Sequence, residues 1–366
     1  MRRTCIALLM ASAVFSAHAT TATVSTLITT PLVIEGLAND DQGNLYTPGR
    51  APAGQPCPVW RVPIDNPSLT VVGNVPAPSA TTACSPSGLT LGPDGMVYVT
   101  QTDRIYRFTP NATTPPTAEL FASNVPGTNG LAFDQNGNLW TGDGTTGLGR
   151  IWRIAKDGTP TEVFRIPAMV NSVGVGRENR TNPTNNAQPL VANGVMVTRR
   201  GNLIIADSAR GALWAVYLDR DSNLQSPVGC DETYTPNTLC WDNLLVQHPI
   251  MEGIDGITLD TAGGIWLDAN ERQAIVYVTP GYYEPIEVFR NPADATTKLR
   301  NAGPLETPTS PVLVGHKFCT ANSDGNRRDN SPSTDGQVGG PGQPKGLIKC
   351  LDQRVNVPGL PLPVTD

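Results

Sequence analysis

Five polar side chains, Glu35, Ser87, Asn129, Asn193 and Asp255, each stand directly before a glycine that is followed seven residues later by a second glycine. The pairs are Gly36/Gly43, Gly88/Gly95, Gly130/Gly137, Gly194/Gly201 and Gly256/Gly263. Together the five side chains offer two carboxylates, two amide carbonyls and a hydroxyl, with no cation among them. Carboxylates crowded together repel each other and hold protons unless a positive charge neutralises them. An all-oxygen set of charge −2 suits Ca²⁺ or another hard divalent cation. Asn and Asp also cap strand ends as turn formers. The metal ring is preferred over that reading because the glycines, not the polar residues, set the repeat phase.

The elements that must position these side chains are short strands. Between the paired glycines runs a mostly apolar stretch and then a polar turn, such as Pro93-Asp94-Gly95 or Gln135-Asn136-Gly137. After the second glycine comes an apolar pair: Leu45-Tyr46, Val97-Tyr98, Leu139-Trp140, Leu203-Ile204 and Ile265-Trp266. That is a β-hairpin, with a third strand following at residues 104–108, 149–154 and 212–216. First glycines recur at intervals of 52, 42, 64 and 62 residues, the size of a four-stranded propeller blade. A degenerate sixth unit fits near 308, with Gly315 as its second glycine. The expected fold is all-β, a six-bladed β-propeller with a central-channel metal site. Its blade repeats start near 35, 87, 129, 193 and 255, and a disulfide-tied C-terminal tail follows the sixth. Successive inner strands of a propeller face one axis, so the five polar residues would ring one mouth of the channel.

Composition agrees with a turn-rich β protein. The 36 glycines and 34 prolines among 366 residues argue against a helical bundle. Lys and Arg number 26 against 32 Asp and Glu, and no basic block could track a phosphate backbone, which excludes nucleic acid as a partner. Arg2 and Arg3, the apolar run from Cys5 to Phe15, and Ala17-His18-Ala19 make residues 1–19 a secretory signal peptide. Its removal takes away two arginines and no acids, moving the net charge from −6 to −8. Residues 20–366 are then expected as one propeller domain with no membrane span, exported to the periplasm or the extracellular space.

Six cysteines remain after Cys5, and an even number in an oxidising compartment reads as three disulfides. Of fifteen connectivities, sequence proximity favours Cys57–Cys84, Cys230–Cys240 and Cys319–Cys350. Cys230–Cys240 is expected in a protruding loop between blades four and five, and Cys319–Cys350 to tie down the tail.

The stretches EGLAND at Glu35, TNGLAFD at Asn129, NGVMV with IADSARGALWAVYLD from Asn193, and IDGITLD at Asp255 resemble the gluconolactonase and senescence-marker-protein (regucalcin) family of six-bladed propellers. The resemblance covers roughly residues 31–280. It implies that Glu35, Asn129, Asn193 and Asp255 surround one divalent metal. Family members acting on sugar-acid lactones often carry an arginine two residues before the blade-three asparagine; here that residue is Gly127. The segment 308–352 has no counterpart in the short intracellular members.

The function expected on these grounds is a calcium- or other divalent-metal-dependent lactonase or ester hydrolase acting on a small molecule, in which the metal polarises the carbonyl and Asp255 acts as base. A non-catalytic binding propeller with a structural metal is the alternative. A redox propeller ranks third, as no haem motif or quinone signature is present. No GxSxG, P-loop or HExxH occurs, which removes serine hydrolase, NTPase and zincin readings. His248 and His316 read as loop and turn residues, and Asp324–Asn330 as a solvated loop. Asn111 and Asn179 head N-x-T sequons.

Overall fold

Six four-stranded antiparallel sheets stand around one axis in the computed structural model, which describes residues 22–167, 190–230, 237–293, 295–296, 300, 303–323 and 345–361. The innermost strands are β2 (Ala38–Asn39), β6 (Pro86–Leu91), β10 (Thr128–Phe133), β14 (Ala192–Val197), β18 (Ile254–Leu259) and β22 (Pro308–Val314). Blades one to five each use four consecutive strands. The sixth takes its outermost strand from the other end of the chain: β1 (Val24–Thr30) pairs with β24 (Gly346–Leu351), which pairs with β23 (Lys317–Asn322) and then β22. The protein is thus an all-β, six-bladed propeller. The signal-peptide segment lies outside the described residues.

The hairpins form where the glycine spacing places them. In the first, second, third and fifth blades an aspartate opens the turn, and its Oδ1 accepts backbone N–H groups two and, in three of the four, four residues on. Asp40 takes those of Gln42 and Asn44 at 2.9 and 2.8 Å, and Asp134 those of Asn136 and Asn138, both at 2.9 Å. The second glycine supplies the positive φ of the turn, 82° at Gly43 and 75° at Gly95. In the first three blades the other carboxylate oxygen accepts from an aromatic on the returning strand: Tyr46 at 3.0 Å, Tyr98 at 2.7 Å and Trp140 at 2.8 Å. Each turn is therefore stapled to its own blade at the end of the channel away from the polar ring.

Apolar side chains pack between neighbouring blades. Met196, Leu213, Ile254, Ile257, Leu267 and Val276, for example, fill the space between blades four and five. All three cysteine pairs expected from proximity are bridged, with Cα separations of 5.8 Å (Cys57–Cys84), 5.0 Å (Cys230–Cys240) and 4.0 Å (Cys319–Cys350). Two of their settings differ from expectation. Cys230–Cys240 lies inside blade four, between its third strand β16 (Ala212–Val216) and its fourth strand β17 (Leu244–Gln247), not between blades. Cys319 and Cys350 face each other on β23 and β24, so the bridge ties two strands of the sixth blade rather than a tail. The segment from Pro308 is a blade: β22, β23 and β24 are successive neighbours in one sheet and are buried along most of their length.

Candidate functional site

At the start of the inner strands of blades two to five, two residues face one on the neighbouring strand. The pairing skips from Thr128 to Leu131, from Ala192 to Val195, from Ile254 to Ile257 and from Pro86 to Leu89. Each bulge falls on the pair formed by the polar residue and its glycine. A bulge re-aims side chains, and here it turns Ser87, Asn129, Asn193 and Asp255 at the same level of four blades. The glycines permit the blades to meet there. A Cβ on Gly88 would fall 1.8 Å from the Asn129 carbonyl oxygen, and one on Gly194 would fall 2.8 Å from that of Asp255. The same relation runs from Gly36 to Ser87 and from Gly256 to Thr309. Thr309 is therefore the sixth ring position, and its Oγ1 donates to the Glu35 carbonyl at 2.8 Å, closing the circle. Sequence reasoning missed it because Ser310, not glycine, follows it.

Asn129, Asn193 and Asp255 line one central cavity of ≈ 50 Å³, whose walls include Leu89, Val195 and Ile257. Glu35 is buried beside the ring but does not line that cavity; its Oε2 accepts from the Arg50 guanidinium. At about 10–15 Å³ for one water, the space holds a hydrated ion but no sugar-sized molecule. An organic ligand would sit above it, at the mouth.

Behind the ring residues lie residues fifteen positions later, in the loops joining second and third strands. Asn193 Nδ2 donates to Ser208 Oγ at 3.4 Å, which leaves its Oδ1 to the axis. Asn270 Nδ2 donates to Asp255 Oδ2 at 2.7 Å. Gly144 lies so close behind Asn129 that a Cβ on it would fall 2.5 Å from Nδ2. Arg50 is the blade-one member of this series. The spacing of fifteen is visible in the sequence, but the residue types at it differ from blade to blade and gave no signal.

The donor chemistry fits a hard divalent cation: the amides of Asn129 and Asn193 and the carboxylate of Asp255 line the cavity, with Glu35 beside them. Among the described residues no three His, Cys, Asp or Glu side chains gather as they do in a carboxylate- or thiolate-rich metal centre. A cation here would depend on the two amides.

Asp268, on β19 (Ile265–Ala269), lies opposite the Asp255 bulge and is wholly buried. Burial pushes its carboxyl well above the ordinary range; Thr320, donating to Oδ2 at 2.5 Å, opposes this, and the charge of Asp255 adds to it. The folded protein therefore keeps a proton that the unfolded chain releases above about pH 4. Stability falls as pH rises from there toward the raised value. Asp268→Asn keeps the acceptor for Thr320 and removes the titration. In urea unfolding at pH 5 to 8 with chelator present, the variant should match or exceed the parent at pH 8 and show a flatter slope. An unchanged slope would assign the dependence elsewhere.

The remaining sequence candidates sit apart from the ring. His248 is exposed, and its Nδ1 accepts from the Ile250 N–H at 3.2 Å. His316 Nδ1 pairs with the Val355 carbonyl at 2.8 Å. Asn111 Oδ1 accepts from the N–H groups of Thr113 and Thr114. Asn179 and Asp324–Asn330 lie outside the described residues. Gly127 has φ 84°, and a Cβ there would fall 1.9 Å from Asp143 Oδ1, so the local packing leaves no room for a side chain.

Six four-stranded blades and a narrow polar-mouthed channel define the six-bladed β-propeller class. Solved structures similar to this chain include the calcium-binding protein regucalcin from Agrobacterium tumefaciens, at 17% identity over 93% of this chain and 96% of that one, with a TM-score of 0.59. A gluconolactonase from Xanthomonas campestris matches at 13% identity over 92% and 89%, with a TM-score of 0.53. The PQQ-bound aldose sugar dehydrogenase of Streptomyces coelicolor matches at 18% identity over 90% and 98%, with a TM-score of 0.55. Gluconolactonase and regucalcin-like propellers are thus among its structural neighbours, and at these identities the likeness is one of fold. No family model matches the chain, and no curated protein sequence does.

Proposed function

We propose that the chain is an exported, divalent-cation-dependent hydrolase of lactones or related esters, with the cation held by Glu35, Asn129, Asn193 and Asp255. The observation that carries this reading is the convergence of Asn129, Asn193 and Asp255 on one cavity, with Asn193 and Asp255 each held from behind by a side chain fifteen positions later. A divalent cation bound there supplies polarisation of a carbonyl and charge for the developing oxyanion. Asp255 Oδ1 takes a proton from the attacking water while Asn270 holds Oδ2 still. The water oxygen bonds to the carbonyl carbon, the ring C–O bond breaks, and the leaving alkoxide takes up the proton to give a hydroxy acid. Ser208 keeps the amide of Asn193 in one orientation. Export is supported by the leader-like residues 1–19, by the three disulfides, and by the absence among the described residues of a helix long and apolar enough to cross a membrane.

The test is hydrolysis of a panel of sugar lactones and aryl esters by the full chain, with Ca²⁺ and with chelator. Turnover that disappears with chelator and returns with Ca²⁺ is expected. Cation binding without turnover of any member would make this a binding propeller with a structural metal.

A further inference from the structure

Three arginines gather on the outer two strands of blade five. Arg272 ends the short turn Asn270–Arg272 before the third strand, β20 (Ala274–Val278), and Arg290 ends the fourth, β21 (Pro285–Arg290), opposite Ala274. Arg290 Nε donates to the Arg272 carbonyl at 3.2 Å. Arg300 is pinned beside them: its Nη1 donates to the Asn291 carbonyl, and its own carbonyl accepts from Asn291 Nδ2 at 2.7 Å. None of the three lines the central cavity; in that turn it is Asn270 that reaches Asp255. Among the described residues the carboxylate set against the cluster is Glu287, whose Oε2 stands 3.7 Å from Arg272 Nη2, beyond hydrogen-bond reach. Three guanidinium charges against one carboxylate leave two positive charges unanswered. Arg272 Nε is buried and donates to nothing, and Arg290 Nη1 and Nη2 meet no acceptor among the described residues. Burial, then Arg272, then Arg300 press the Arg290 guanidinium down to about 10, with Glu287 opposing. An arginine keeps its proton near neutrality, so an anion, not titration, relieves such a cluster.

We infer that Arg272, Arg290 and Arg300 form a binding site for a tetrahedral dianion, a phosphate or phosphoryl group, apart from the polar ring. Guanidinium forks match phosphate oxygens in pairs. A carboxylate brings two oxygens and one charge, which answers one of the two open positive charges. A phosphoryl group brings three terminal oxygens and up to two charges, enough to face all three side chains and balance the cluster. The buried Arg272 Nε then gains the acceptor that a buried donor requires. Free phosphate and the phosphoryl end of a larger molecule share this chemistry. No cation at the ring is needed, so the site stands or falls independently of the hydrolase reading.

Calorimetric titration of the full chain at pH 8, without added Ca²⁺ and at constant low ionic strength, tests this with inorganic phosphate, D-glucose 6-phosphate and acetate. The parent should bind inorganic phosphate, and acetate about 10-fold or more weakly, for want of the second charge. Arg290→Gln should weaken phosphate binding by about 10–100-fold, the worth of one charge-assisted pair, and Arg300→Gln should weaken it too. Arg104→Gln removes the same charge from blade two and should change nothing. Glutamine at 290 keeps a donor for the Arg272 carbonyl and relieves the repulsion. Without phosphate that variant should therefore melt no lower than the parent, which separates lost binding from lost folding. A glucose 6-phosphate that binds more tightly than phosphate assigns the site to a larger molecule, and equal or weaker binding assigns it to the free anion; each upholds the site. A parent that binds no phosphate, equal affinity in the parent and both cluster variants, an equal loss in Arg104→Gln, or acetate as tight as phosphate would overturn the inference.

Discussion

Asp255→Asn should lower turnover by about 10²–10⁴-fold at saturating Ca²⁺, while Ca²⁺ binding weakens but stays measurable. The substitution keeps a side chain of the same size and an inward oxygen, so the ring geometry and the apolar packing around Ile257 are preserved. It removes one charge from the ring and the group that accepts the proton. Glu35→Gln removes a charge from the same ring without touching that group. It should weaken Ca²⁺ binding by a similar factor and recover most of its rate once the ion is saturating. The check is a steady-state comparison of the two variants against Ca²⁺ concentration on one hydrolysed lactone. Equal recovery of both would reduce Asp255 to a ligand.

Gly88→Ala should cost about 3 kcal/mol of folding stability, at the upper end of overpacking effects, or prevent folding. Its Cβ would meet the Asn129 carbonyl oxygen at 1.8 Å, where backbone faces backbone across two blades and no flexible side chain can yield. Gly95→Asn in the turn of the same hairpin is the control. That position has φ 75° with nothing within 4 Å of a Cβ. Asparagine tolerates such a φ, so the loss there should stay within about 1 kcal/mol. Urea midpoints of the two variants decide between them. Equal, small losses would show that the two blades give way at the close approach.

Much of the fold was legible because one geometric need repeats. Wherever an inner strand passes its neighbour at the ring, only glycine fits, and wherever its hairpin turns, only glycine takes the positive φ easily. The fixed spacing of Gly88 and Gly95 therefore marks both ends of one strand. Blade six escapes this rule because Ser310 stands at the close approach, which hid Thr309 and left the sixth unit degenerate, with β24 expected in a tail. The pairing of Cys319 with Cys350 could be read from proximity, but not its cross-strand setting, since that depends on where β24 resumes. At the site, residue types announced the ring donors. The partners behind them did not announce themselves, because Gly144, Ser208, Asn270 and Arg50 share a place but no chemistry. The ion pair that draws Glu35 away from the cavity wall is a tertiary event with no trace in local pattern.

The N-terminal strand completes the last blade, and this sets an order on biogenesis. Val24 pairs with Leu351, so β1 must wait for a strand that is made after all five other blades. Loop closure over such a separation is slow. If residues 1–19 are cleaved during export, the new terminus lies only a few residues before Val24, and β1 cannot find its partner until the chain has been translocated almost to its end. Five blades can form in sequence while the circle stays open. The Cys319–Cys350 bridge then fixes the blade that shuts the circle.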